Sequence, residues 1–142
     1  MQRTHRIRLN PTPEQEAYFR KAAGTARFVY NWGLSEVKRA LDAGRTPAGV
    51  LDLKARFNAL KPEQFPWVYQ VTKCVVEGAF RNLDAALANF RASKRGERKR
   101  KKVGFPNERR AGSGYVGTLT CLWTRCKTFV TKAVADEAGT GL

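Results

Sequence analysis

From Val76 to Phe90, apolar side chains recur at 76, 80, 83, 87 and 90, in steps of four, three, four and three. That spacing is one face of an α-helix, and it predicts a helix over about Val71 to Ala92. The next stretch, RASKRGERKRKKVGFPNERR (91–110), sets ten Lys or Arg against two acids, Glu97 and Glu108. A helix of this kind must bury its seam, and its C-terminal end must face water or a polyanion. The seam covers about two heptads, too short for a long-lived coiled coil, so it is expected to pack against other helices of the same chain. The charge block on its own would suit a solvated linker. Two features argue for more. Clustered cations bind nucleic acid by displacing its condensed counterions. The block also stops in Lys102-Val103-Gly104-Phe105-Pro106, an apolar turn sequence for which a linker has no use.

The 142 residues fit one domain, and 42% apolar content fits a folded one. A net charge of +15 exceeds what solubility needs and points to nucleic acid or an anionic membrane. No apolar run approaches the roughly 18–20 residues of a spanning helix, and MQRTHRIRLNPTPEQ lacks the apolar core of a signal peptide. The expectation is a cytoplasmic protein without membrane or small-molecule partners. Cys74 falls within the helical pattern and suits a buried small apolar residue. Cys121 and Cys126 have no second Cys or His pair nearby, and the single histidine is His5, so neither a zinc site nor another cofactor is expected.

Along the chain, Ile7 and Leu9 alternate with Arg6 and Arg8, which predicts a short strand over Arg3–Leu9. Thr12 suits a helix N-cap, Pro13 the first helical position, and Gln15 completes a capping box. One helix is then expected to run to about Ala23 and, after an interruption at Gly24, a second from Thr25 to Ala43 with Gly44 as its stop. Phe28, Val29, Trp32, Val37 and Leu41 would form the core face of the second. Leu51, Leu53, Phe57 and Leu60 predict a third helix closed by Pro62, followed by a rigid Phe65-Pro66-Trp67 turn. The fold class is therefore mainly α: a four-helix bundle (11–92) after one N-terminal strand (1–10), a basic linker (93–110), and a tail (111–142) that is poorly structured or has short β segments.

Four segments, RIRLNPTPEQE, GTARFVYNWGL, VTKCVVEGAFRNLDAALANFR and KKVGFP, occur in the order and spacing of the N-terminal region of the TnpB/OrfB transposase family, which the chain resembles over residues 3–106. Full-length members are RNA-guided DNA endonucleases related to type V CRISPR effectors. The resemblance implies that Arg3–Leu9 is the first strand of a wedge barrel. It implies that Thr12–Arg91 is a recognition bundle contacting a guide–target duplex and a short flanking motif. Lys73 falls on a position that faces that motif in the family. Glu77 falls on another, where Gln is frequent. Gln can read adenine bidentately, whereas Glu only accepts and repels phosphate, so the motif preference is expected to differ. After Pro106 the resemblance fades at Asn107-Glu108. The family's nuclease domain, with its three acidic metal ligands and CxxC element, has no counterpart in this sequence, and the implied chain is a truncated or frameshifted remnant without catalysis of its own.

The acids are scattered, so no carboxylate cluster for two-metal chemistry stands out. The residues expected to meet DNA or guide-like RNA are Arg3, Arg6 and Arg8 on the N-terminal strand, Arg27 beside Tyr30 and Asn31, and Lys73, Glu77 and Arg81 on the last helix. The basic block adds Arg91, Lys94, Arg95, Arg98, Lys99, Arg100, Lys101 and Lys102. For Arg27 a surface ion pair is an equal alternative, and Tyr30 and Trp32 suit core packing better than base stacking. Two other functions stay open: a free-standing helix-turn-helix regulator, and a non-functional fragment.

Overall fold

In the computed structural model, which describes residues 10–97 and 101–110, Pro13–Asp42 is one unbroken helix, α1. Its start follows the capping chemistry of the sequence. The Gln15 N–H donates to Thr12 Oγ1 at 3.3 Å, and the Thr12 N–H donates to Gln15 Oε1 at 3.1 Å. Its end is a Schellman turn at Gly44, φ +66°, where the Gly44 N–H reaches the Leu41 carbonyl at 2.9 Å and the Arg45 N–H reaches Ala40 at 2.8 Å.

The interruption expected at Gly24 does not occur. Ala22, Ala26, Val29, Tyr30, Leu34 and Val37 are all buried on one face, and they keep the same register on both sides of the glycine. A glycine inside a helix costs about 1 kcal/mol. Burying a single valine or leucine of that stripe contributes about 1.5–3 kcal/mol, so the tertiary face overrides the local break.

A second helix, α2, spans Val50–Gln64 and buries Leu53 and Phe57. Pro62 lies inside its last turn rather than ending it; its missing N–H removes a single helical bond, the one to the Asn58 carbonyl one turn upstream. A 3-10 turn at Pro66–Gln70 leads to α3, Lys73–Lys94. The expected four-helix bundle is thus a mainly helical assembly of three α-helices and a 3-10 turn among the described residues. The expected strand at Arg3–Leu9 and the tail beyond Arg110 lie outside the described residues.

The core is α1 laid against α3. Gly33 marks a close approach of the two helices: a Cβ there would stand 2.7 Å from Leu83 Cδ2 and 3.4 Å from Phe80 Cε1. Phe57 of α2 closes the bundle from the side, with its ring 5.1 Å from Trp32, 5.7 Å from Phe80 and 5.7 Å from Phe65. Glu36, 8% exposed, ties α1 to α2 through Arg56 at 2.9 Å and also pairs with Arg39 of its own helix at 2.6 Å. The expected core needs several corrections. Leu41 and Leu51 are 47% and 82% exposed, since each sits in an end turn, clear of the α1–α3 contact. Phe28 and Trp32 are half-buried but pack against the core as expected, and Cys74 is half-buried rather than buried.

Candidate nucleic-acid interface

Both ends of α3 carry candidate cations. At its start, Lys73, Glu77 and Arg81 follow one another at four-residue intervals, a stripe turned away from the buried seam of Val76, Phe80, Leu83 and Leu87. Lys73 is exposed and makes no ion pair among the described residues. Arg81 is exposed as well. Glu77 is half-buried and held by Lys54 of α2 at 3.3 Å, so its carboxylate serves the contact between α2 and α3. Arg27 is half-buried on α1 and makes none of the ion pairs found among the described residues.

At the other end, Arg91, Lys94 and Arg95 are all exposed. Asp84 offers Arg91 only a loose partner at 3.9 Å, while Arg95 is held by Glu97 at 2.7 Å. A second Schellman turn, at Gly96 with φ +73°, stops the helix: the Gly96 N–H reaches Ser93 and the Glu97 N–H reaches Ala92.

Residues 101–110 pack back across the bundle as a strap. The Val103 N–H donates to Ser93 Oγ at 2.8 Å, the Phe105 ring stands edge-on to Phe90 at 5.3 Å, and Pro106 is buried. Asn31 of α1 then clamps the end of the strap. Its Nδ2 donates to the Arg109 carbonyl at 3.0 Å, and its Oδ1 accepts from the Arg109 N–H at 2.9 Å. The Arg109 guanidinium lies over the Tyr30 ring at 4.4 Å, and Glu108 pairs with Lys38 at 3.1 Å. The apolar KVGFP sequence is the part that seats the strap. The bond between Val103 and Ser93 brings the chain just after exposed Lys101 and Lys102 against the last turn of α3, which carries exposed Arg91 and Lys94.

Asn31 therefore pairs with the Arg109 peptide as a neighbouring strand would, and buried Tyr30 seats the Arg109 guanidinium. Glu108 and Arg109, where the family pattern fades, are the residues that fasten the strap. Asn31→Leu removes two hydrogen bonds at once, a loss of about 1–3 kcal/mol. Amide exchange at Arg109 is expected to speed up at least tenfold, with the α1–α3 core unchanged. Unaltered exchange at Arg109 would count against the clamp. Arg3, Arg6, Arg8, Arg98, Lys99 and Arg100 lie outside the described residues.

Residues 1–46 match the family model of the IS605 OrfB helix-turn-helix domain. The match supports the N-terminal region of the TnpB/OrfB transposase family, and with it a DNA-binding role. Neither the curated proteins nor the solved structures gave a match. In the described part of the OrfB match, residues 10–46, the only helix is α1, so the two-helix unit expected around Gly24 is replaced here by a single rod. Among the described residues no helix is long and apolar enough to cross a membrane.

Proposed function

We propose that this chain binds nucleic acid as the N-terminal region of an OrfB-type transposase, with DNA and guide-like RNA as its partners and no catalytic group of its own. The observation that carries this reading is the bond between Val103 and Ser93, which joins the segment of exposed Lys101 and Lys102 to the end of α3 that carries exposed Arg91, Lys94 and Arg95. Exposed cations held near one another on a folded surface suit phosphates, which they meet by counterion release. RNA-guided recognition of a DNA target rests on the family resemblance of α3 and the strap. The electrostatic surface suits an RNA–DNA duplex as well as a DNA one.

A salt series tests the reading. Binding of the full chain to duplex DNA, single strands and structured RNA is measured between about 50 and 200 mM salt. With at least four phosphates engaged, the logarithm of the association constant should fall against the logarithm of salt with a slope of about −4 on duplex. Binding that is undetectable, or indifferent to salt, overturns it.

A further inference from the structure

Where α1 passes the 3-10 turn, a cleft of about 200 Å³ opens between Lys21, Gly24, Thr25, Trp67, Gln70 and Val71. Trp67 is 40% exposed, an unusual surface position for so large an apolar side chain. Phe28 supports its ring from α1 at 4.9 Å, inclined at 66°. The turn that carries it is fixed at several points. Val68 and Val71 are buried, the Val68 N–H is bonded to the Phe65 carbonyl at 3.0 Å, and the Thr72 N–H is held by the Tyr18 hydroxyl at 3.2 Å. The ring is therefore pre-positioned, as a binding platform needs to be. Around it, the Gln70 amide and the Lys21 ammonium are exposed and make no hydrogen bond or ion pair among the described residues.

Gly24 is the second observation. It sits in the middle of a 30-residue helix, its φ is not positive, and an added Cβ would meet nothing within 4 Å. Neither backbone conformation nor close packing calls for glycine, and alanine would favour the helix. What a side chain at this position would do is fill the cleft beside Trp67.

We propose that this cleft seats one unpaired nucleobase of a single-stranded nucleic acid, stacked on Trp67. The Gln70 amide, both donor and acceptor, faces the base edge, and Lys21 meets a flanking phosphate. The occupant follows from the lining: a planar aromatic face, an amide and a cation, on a chain of net charge +15. Aromatic platforms with neighbouring cations bind single strands because every base has a π-face. A paired duplex keeps its bases stacked inside and cannot enter.

The seat rests on the nucleic-acid reading, and one experiment separates the two. The full-length chain and its Gly24→Met and Trp67→Ala variants are titrated with a dT12 oligonucleotide, an abasic 12-mer with the same phosphates, and a duplex. The wild-type chain is expected to prefer dT12 over the abasic strand by about tenfold, the worth of one base–aromatic stack. Both variants should lose that preference and keep their duplex affinity. Gly24→Met should melt no lower than the wild type, so its loss cannot come from unfolding. If the wild-type chain shows no preference, or Gly24→Met retains it, the seat is wrong while the nucleic-acid reading stands. If the wild-type chain binds none of the three probes, both fall.

Discussion

Gly33→Val destabilises the bundle by about 3 kcal/mol, and Gly33→Ala by about 1 kcal/mol, although both replacements favour the helix. Alanine brings about 1 kcal/mol of helix propensity. Against that stands a Cβ placed 2.7 Å from Leu83 Cδ2 and 3.4 Å from Phe80 Cε1. A methyl at the end of a side chain can often swing aside. Leu83 cannot do so freely, because it is fully buried and Phe80 is 2% exposed; moving either displaces the α1–α3 seam. Overpacking of this kind costs about 1–3 kcal/mol, and valine adds two further methyls and a stiff χ1. Gly24 gives an internal control in the same helix, since no neighbour lies within 4 Å of its added Cβ. Gly24→Ala should therefore stabilise by about 0.5–1 kcal/mol, while Gly33→Ala does the opposite. Urea unfolding followed by circular dichroism reads both. If Gly33→Ala stabilises as much as Gly24→Ala, the close crossing of α1 and α3 is not where the structure puts it.

The contrast between these two glycines shows what could be read from the sequence. End signals were legible because they are local: Thr12, Pro13 and Gln15 open α1, and Gly44 closes it within a few residues. The seam of α3 was legible because five apolar residues share one period. Gly24 misled as a break, since a propensity of about 1 kcal/mol is weak beside a continuous buried face. That face was present in the spacing of Ala22, Ala26, Val29 and Tyr30, read across the glycine rather than up to it. The clamp of Asn31 on Arg109 spans 78 residues and leaves no periodic trace, so only the fold could bring the pair together. The resemblance sets Glu77 at a position facing the flanking motif; its pairing with Lys54 joins α3 to α2, a contact between helices that leaves no periodic trace in the sequence.

Replacing Arg91, Lys94, Arg95, Lys101 and Lys102 together by alanine should cut duplex affinity at about 0.1 M salt by roughly a thousandfold. It should also flatten the salt slope by about 4. The magnitude follows from counterion release, in which each neutralised phosphate contributes about 0.9 to the slope, with one of the five cations allowed to miss a phosphate. Stability should change far less. All five side chains are exposed, so their removal belongs among surface substitutions of about 0.5 kcal/mol or less apiece. Arg91 and Lys94 add a modest favourable interaction with the C-terminal end of α3. A second variant separates the local effect from that of net charge. Arg20, Arg45 and Lys61 lie on other parts of the surface: Arg20 is paired with Glu16 at 2.6 Å, Lys61 lies over Tyr69 at 4.6 Å, and Arg45 is exposed beyond Gly44. Their triple alanine variant lowers the net charge by three but should move the slope by less than about 1, because long-range attraction is screened within about 10 Å at this ionic strength. If the two variants flatten the slope in proportion to the charges they remove, affinity comes from net charge alone, and the end of α3 with its strap is no interface. If only the first variant does so, the phosphates lie where Ser93 holds the strap against the helix.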